Sequence, residues 1–472
     1  MADQRSVDVV VIGAGAAGEN AADRVVKGGL TAVLVEAELV GGECSYWACM
    51  PSKALLRPGT ALLAAQSVAG AREAVTQTLD APAVLARRDR FTSSWQDDGQ
   101  VRWVEDAGIE LVRGHGWLTA ERTVQVSGND GETHLFHARH AVVLATGSAP
   151  NLPRLDGLED IEYWGTKDAT SAQSVPRSLV VLGGGVAGAE LSQAFARLGS
   201  TVTVVARGDL LAMYPKEARS LVAAGLRADG VDLRLHTATR SVARNAADEV
   251  ELVLADGQVV TAEQLLVSTG RHPSLEGLGL ENLGLETKKL ETDSTGRVHG
   301  HDWLYAVGDA AGKVLLTHQG KYEARAAGSA IVARAEGRLG PEAEPWSRFA
   351  RTADDHAVPN VVFTDPEIAS VGLTLEKAGH AGLNASEVSL PIAVSGSSLY
   401  ADDYQGWAQL VIDEDRKVLL GATFAGAGVS ELLHSATIAV VGEVPLERLW
   451  HAVPSYPTIS EVWLRLLEKY GL

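Results

Sequence analysis

The chain has 472 residues, 46% of them apolar, and 60 acidic against 41 basic side chains for a net charge of −19. That length gives room for about three domains, and the negative balance argues against nucleic-acid or anionic-membrane partners. No apolar run approaches the roughly 18 residues of a membrane span, and Met-Ala-Asp-Gln-Arg-Ser leads straight into a strand, so no signal peptide is expected.

Residues 7–12 form a β-branched run, followed at once by Gly13-Ala14-Gly15-Ala16-Ala17-Gly18. A helical pattern over 19–27 comes next, then a second strand over 31–35 that ends at Glu36. Strand, glycines, helix, strand and terminal acid within about 30 residues predict a dinucleotide-binding βαβ unit. The glycines Gly13, Gly15 and Gly18 let the backbone approach a pyrophosphate at the helix N-terminus, and Glu36 is placed to accept from a ribose hydroxyl.

The next stretch, residues 41–53, holds Cys44 and Cys49, the only two cysteines of the chain. They follow Gly41 and Gly42, and a Pro51-Ser52-Lys53 that reads as a helix start comes after them. Thiols near a helix N-terminus are expected to favour the thiolate. Two readings stand, a redox-active disulfide or two buried thiols; the glycines and the nucleotide motifs favour the first. A single potentially reducible pair without a disulfide framework fits a reducing compartment, so a cytoplasmic location is expected.

Residues 57–110 are helical in pattern and carry no recognisable chemistry. Residues 141–147 read as a strand closing in the small-residue turn Ala145-Thr146-Gly147, and Asn151-Leu152-Pro153 as a linker. The nucleotide unit then repeats: a strand over 178–182, the turn Gly183 to Gly188 with its second glycine at Gly185, and a strand over 201–205. The position matching Glu36 is Ala206, followed by Arg207. A cation in place of the acid suits a ribose 2′-phosphate, hence NADPH over NADH; the alternative is a solvated surface arginine. Residues 265–270 close this unit at Gly270, and residues 304–309 bring Asp309 to a strand end, where it could hold a ribityl hydroxyl or merely cap a turn. From about residue 346 the pattern changes to strand-like runs at 361–363 and 408–412 and helical stretches at 429–441 and 458–469, an α+β region for packing or dimerisation.

With these motifs the chain resembles the pyridine nucleotide–disulfide oxidoreductases of class I, the flavoprotein group that includes glutathione reductase, dihydrolipoamide dehydrogenase, mycothione reductase and mercuric reductase. The resemblance spans essentially the whole length, including Phe363-Thr364-Asp365-Pro366-Glu367. It implies an α/β fold with two Rossmann-like dinucleotide-binding domains and a C-terminal α+β dimerisation domain. The expected boundaries are 1–150 and 276–345 for FAD, 151–275 for NAD(P)H and 346–472 for the interface. It also implies that FAD meets Gly13, Gly15, Gly18, Glu36, Gly42, Gly116, Thr146, Gly147 and Asp309. Lys53 would lie near the flavin N5 with Glu190 as its partner, and the pyridine nucleotide would meet Gly183, Gly185, Gly188, Arg207 and Gly270. Cys49 would lie against the flavin and Cys44 would be the outward, attacking thiolate. A homodimer is implied, its C-terminal domain lending residues to the neighbour's active site. No metal site is expected.

The chain departs from the family where its disulfide reductases carry His-Pro-Thr-x-Ser-Glu. Here the stretch reads Tyr456-Pro457-Thr458-Ile459-Ser460-Glu461. Glu461 is kept, but a tyrosine with an ordinary pKa near 10 replaces a histidine that titrates near neutrality. His451 is the nearest stand-in, or a surface histidine. The loop between the cysteines carries Tyr46 and Trp47, either shaping the acceptor pocket or packing. Mercuric reductase also has tyrosine near position 456 but ends in a paired-cysteine tail, whereas this chain ends Glu-Lys-Tyr-Gly-Leu. The expected function is an FAD-dependent enzyme that moves electrons from NADPH through Cys44–Cys49 to a small disulfide or related sulfur compound. Alternatives are a quinone, metal ion or other electrophile as acceptor, and a flavin-holding scaffold or sensor without turnover.

Overall fold

The computed structural model describes residues 4–472; the start of the N-terminal run discussed above, residues 1–3, lies outside them. The chain divides into two compact units. Of the described residues, the first comprises 4–50, 89–151 and 271–354, and the second 51–88, 152–270 and 355–472.

The first unit is organised by a six-stranded sheet. Gln4–Ile12 pairs in parallel with Ala32–Glu36 on one side and Thr133–Leu144 on the other, and Ala32–Glu36 pairs in parallel with Glu110–Ala120. Leu304–Ala306 adds the edge strand beside Thr133–Leu144. The central strand is Val-rich because it is covered on both faces. Val9 and Val11 face a layer formed by Ala21, Ala22, Val25, Ala324 and Ile331 of the helices Ala16–Lys27 and Thr317–Ala335. Val10 and Ile12 face the opposite cluster with Leu118, Val124, Val126 and Phe136 of an antiparallel meander. Each such side chain contributes about 1.5–3 kcal/mol by leaving water. That meander is the main element the sequence pattern left unread.

The second unit contains a four-stranded parallel sheet in the order Gln264–Val267, Ser178–Leu182, Thr201–Val205, Asp232–Arg234, together with the helix Val186–Arg197 and a three-stranded antiparallel sheet. Its C-terminal part is a five-stranded antiparallel sheet from Pro359–Val362 to Val418–Gly426, with the helices Leu433–Val441 and Val462–Tyr470. The architecture is α/β, as expected. Element bounds shift by a few residues: the first helix starts at Ala16 rather than Glu19 because Gly15 serves as its N-cap, so the glycine turn already contributes helical residues. No helix among the described residues is long and apolar enough to cross a membrane.

Candidate active site

In the first unit the strand Gln4–Ile12 ends in a turn that only glycine can make. Gly13 has φ +101°, and a Cβ there would stand 2.4 Å from the Ala145 carbonyl oxygen. The cysteine segment docks directly onto this turn: Gly41 N–H donates to Ala14 O at 2.8 Å. Gly42, at φ +62°, would place a Cβ 2.7 Å from Gly15 Cα. The chain therefore carries glycine where two backbones touch, and those close approaches floor a cavity of about 400 Å³. Glu36, Gly116, Thr146, Gly147, Asp309 and Cys44 all line it.

The polar groups of the cavity are held by the backbone and by each other. Glu36 accepts the Ala14 and Glu38 N–H groups, each at 2.7 Å, and burial pushes its carboxyl above the usual range. Burial does the same to Asp309. Ser148 Oγ donates to Asp309 at 2.5 Å and accepts from Arg271 Nε at 2.8 Å, and Arg271 also pairs with Glu43 at 2.6 Å. This relay ties the Asp309 loop to the residue just before Cys44. Thr146 Oγ1 donates to Ser274 O at 2.6 Å, fixing the closing turn.

Cys44 lies in the short helix Gly42–Tyr46, and Cys49 opens the helix Cys49–Gln66, with Pro51 in its first turn as expected. The four-residue spacing is thus a helical turn and a break, and both half-buried thiols stand unbridged. The Cys49 Sγ is 3.3 Å from Thr317 Oγ1. The expectation that a helix N-terminus favours thiolate is outweighed for Cys44: a hydrogen bond to Cys49, burial and the neighbouring sulfur's charge all push this thiol up, against weaker help from Thr317 and Lys321. Of the two aromatics between the cysteines, Tyr46 packs, its hydroxyl donating to Val40 O at 3.1 Å. Trp47 lines the cavity.

The second unit repeats the glycine turn. Gly183 has φ +126°, with a Cβ there 2.4 Å from Ser268 O, and Gly188 would place its Cβ 2.3 Å from Gly183 O. Gly185 caps the helix Val186–Arg197, and Gly270 also has a positive φ, +108°. The Gly183 N–H donates to Val205 O at 2.9 Å, as Gly13 N–H does to Val35 O at 2.8 Å. The two turns share one register, so Ala206 is the structural counterpart of Glu36. Arg207 is exposed, and its side chain has no hydrogen-bond or ion-pair partner among the described residues. Nearby Arg219 is occupied by Asp209 at 2.5 Å.

Lys53 and Glu190 do meet within this unit, at 2.6 Å, and the buried Glu190 also accepts the Phe363 N–H at 3.0 Å. The Lys53 ammonium sits 4.9 Å from the Phe363 ring centroid. Glu461 accepts the Gly396 N–H at 3.0 Å, while Tyr456 is 76% exposed and His451 is exposed as well. The structure thus gathers the cysteines, the first glycine turn, Glu36, Gly116, Thr146, Gly147 and Asp309 in one unit. It holds Lys53, Glu190, Arg207, Tyr456 and Glu461 in the other. Thr317 and the Glu43–Arg271–Ser148 relay were missed from the sequence; residues so far apart in the chain leave no local signal.

A glycine cradle that any Cβ would fill, a carboxylate on its rim and one thiol of an adjacent pair in its wall define a dinucleotide-binding disulfide reductase. The chain belongs to the pyridine nucleotide-disulphide oxidoreductases, whose family model matches residues 7–337; the family's dimerisation-domain model matches residues 358–466. The family is FAD-dependent and uses a pyridine nucleotide. The chain is 33% identical over 477 residues to dihydrolipoyl dehydrogenase 2 of Haloarcula marismortui, covering 96% of this chain and 94% of that one. It is 31% identical over 461 residues to the mercuric reductase of Streptomyces lividans, with 96% and 94% covered. The Cu(II) complex of the HOCl-induced flavoprotein disulfide reductase RclA from Escherichia coli superposes with a TM-score of 0.82 at 23% identity, covering 98% of this chain and 99% of that one. At that identity the likeness speaks for the fold.

Proposed function

We propose that the protein is a homodimeric, NADPH-preferring FAD enzyme that passes electron pairs through Cys44 and Cys49 to a small disulfide or related sulfur compound. The observation that carries this reading is the pair of adjacent thiols, in hydrogen-bonding range of Thr317, of which Cys44 stands in the wall of the glycine-floored cavity. In this reading FAD lies along Gly13, Gly15, Gly18, Glu36, Gly42, Gly116, Thr146, Gly147 and Asp309. Residues 1–150 and 276–345 bind it, residues 151–275 bind the pyridine nucleotide, and residues 346–472 form the dimer interface. Bound flavin supplies the two-electron exchange between nicotinamide and sulfur.

The residues of the chain do the rest. Asp309, held by Ser148, accepts from the ribityl chain, and Glu36 from the adenosine ribose. Lys53, charge-balanced by Glu190, offers positive charge to the reduced ring. Arg207, beside Ala206 and without a partner among the described residues, supports a 2′-phosphate, because a guanidinium can meet it with two parallel hydrogen bonds. Cys44 attacks the acceptor and Cys49 closes the bridge; Tyr456, with Glu461 nearby in sequence, donates a hydrogen bond to the acceptor.

A soft metal ion is the second reading for the acceptor. It is favoured by Tyr456, since reducing a metal ion releases no thiolate that needs a proton, and by the mercuric reductase among the relatives. The test follows NADPH absorbance with low-molecular-weight disulfides, quinones, Hg(II) and Cu(II) as acceptors, in the parent and in Cys49→Ser. Turnover of a disulfide that is lost in Cys49→Ser supports the first reading, and turnover of metal ions alone supports the second. Full turnover in Cys49→Ser with every acceptor would remove the cysteines from the electron path. Failure of NADPH to bleach the flavin would return the scaffold or sensor reading.

A further inference from the structure

We propose that Lys321 is a positioning residue for the redox pair, its ammonium holding Cys44 as the thiolate once the Cys44–Cys49 bridge is reduced. The proposal rests on the redox-pair reading and concerns a residue that neither the glycine motifs nor the cavity lining includes.

Adding two electrons to a disulfide leaves negative charge on two adjacent sulfurs. One proton can be taken up by one sulfur, and the other stays a thiolate only if something nearby stabilises it. With Tyr456 where the family carries its histidine, that charge has to be met some other way. Thr317 puts the start of the helix Thr317–Ala335 against the pair, its hydroxyl 3.3 Å from Cys49 Sγ. Lys321 follows four residues later, on the same helix face. It is half-buried, and among the described residues its side chain has no hydrogen-bond or ion-pair partner. Its ammonium is not among the buried unsatisfied atoms of the described residues, so it keeps contact with water and stays free to meet a charge that comes and goes.

The groups around it leave Cys44 as that charge. On the helix Ala16–Lys27, Asp23 is taken by Lys27 at 2.9 Å. Glu43, next to Cys44, is taken by Arg271, and Glu36 by two backbone N–H groups. On the lysine's own helix, Arg325 donates to Asn20 at 3.3 Å, and His318 is exposed. Glu19 faces Lys321 from the neighbouring helix, but its buried carboxyl is pushed up to about 7. Below that pH it carries a proton and does not neutralise the lysine. The attraction of Lys321 for Cys44 favours the thiolate, alongside the Thr317 hydroxyl and against the larger effects of burial and Cys49.

The test measures Cys44 alkylation by iodoacetamide in the holoenzyme, after anaerobic reduction with a phosphine, from pH 5 to 9, by peptide mass spectrometry. In Lys321→Met the profile should move up by about one pH unit, with roughly tenfold slower alkylation at pH 7, the low end of what one nearby charge contributes. Lys321→Arg should restore it. An unchanged profile in Lys321→Met, or in Lys321→Gln should the methionine variant fail to fold, would overturn the role of Lys321. Omitting the phosphine separates this from the underlying reading. Air-oxidised parent enzyme should alkylate at neither cysteine, and if it alkylates fully the redox pair itself is wrong, whatever Lys321 does.

Discussion

Replacing Glu19 with glutamine should make the protein more stable at neutral and alkaline pH, by an amount the structure fixes. Glu19 lies in the first turn of the helix Ala16–Lys27, is 8% exposed, and its Oε1 is buried without a hydrogen-bond partner. A carboxylate in a first helical turn is ordinarily favoured by the dipole. Here burial wins and pushes the group up to about 7, with Lys321 pulling it down and Glu36 adding to the rise. Taking 4.5 as the unfolded value, the shift is about 2.5 units, and at 1.36 kcal/mol each that is about 3 kcal/mol. A folded-state pKa above the unfolded one means the folded chain holds the proton more tightly. The resulting stability is complete below pH 4.5, declines as the unfolded chain loses its proton first, and is gone above about pH 7. Glutamine keeps the shape and never ionises. Urea unfolding of the holoenzyme, followed by the fluorescence of its ten tryptophans at pH 5, 6, 7 and 8, gives the difference between variant and parent at each pH. That difference should move by about 3 kcal/mol in favour of Glu19→Gln between the two ends, other titrating groups cancelling. A difference that does not change with pH would mean that Glu19 is solvated or paired, and would refute the argument.

A second buried acid should behave alike at higher pH. Burial first, then Asp354, hold the Glu323 carboxyl well above the carboxylate range, against Arg351. Glu323 Oε1 and Asp354 Oδ2 both lack a donor, which one shared proton would supply. Its stabilisation is present in acid and lost as pH climbs through the raised pKa, so Glu323→Gln should flatten the fall in melting temperature between pH 6 and pH 9; parallel melting curves would count against it. Arg207→Ala should raise the KM for NADPH about 10- to 100-fold, the worth of a charged hydrogen bond, and leave NADH nearly unchanged. An equal loss with both nucleotides would make Arg207 a surface residue. Tyr456→Phe should slow turnover of disulfides and spare metal ions, as steady-state rates on both acceptor classes would report; equal rates with the parent enzyme throughout would mean the hydroxyl has no part.

The two nucleotide units were legible because their signal is local: a turn that must be glycine, a helix and a strand follow one another within 30 residues, and the register repeats from Val35 to Val205. The antiparallel meander of Glu110–Ala120, Thr123–Gly128 and Thr133–Leu144 was less visible, although its first strand alternates between buried and open positions over its length. Its alternation sits beside the helices Ala81–Phe91 and Asp98–Asp106, whose patterns dominate a reading of residues 57–110. Strand pairing also needs partners that the local pattern does not name. The relay from Glu43 through Arg271 and Ser148 to Asp309 crosses more than two hundred residues of chain, and Glu43, Arg271 and Ser148 taken singly look like ordinary surface or turn residues.

The electrostatics of the cysteine pair show why site chemistry is harder to read than site position. Sequence locates the thiols at a helix start and so favours the thiolate, a rule that counts only the backbone dipole of one helix. In the fold, three nearer effects compete: a second sulfur within hydrogen-bonding range, burial, and an ammonium from a helix that begins 268 residues after Cys49. The first two oppose ionisation and together outweigh the dipole in the dithiol. Ionisation is therefore a question for the reduced pair alone: it is disfavoured in the dithiol, and the thiolate left when two electrons arrive with a single proton requires a cation. A carboxylate beside Lys321 would cancel that cation if it were ionised at the working pH. The burial that destabilises Glu19 thus also keeps the lysine's charge available to Cys44, so the measured pKa of Glu19 should mark the pH above which the thiolate begins to lose its support.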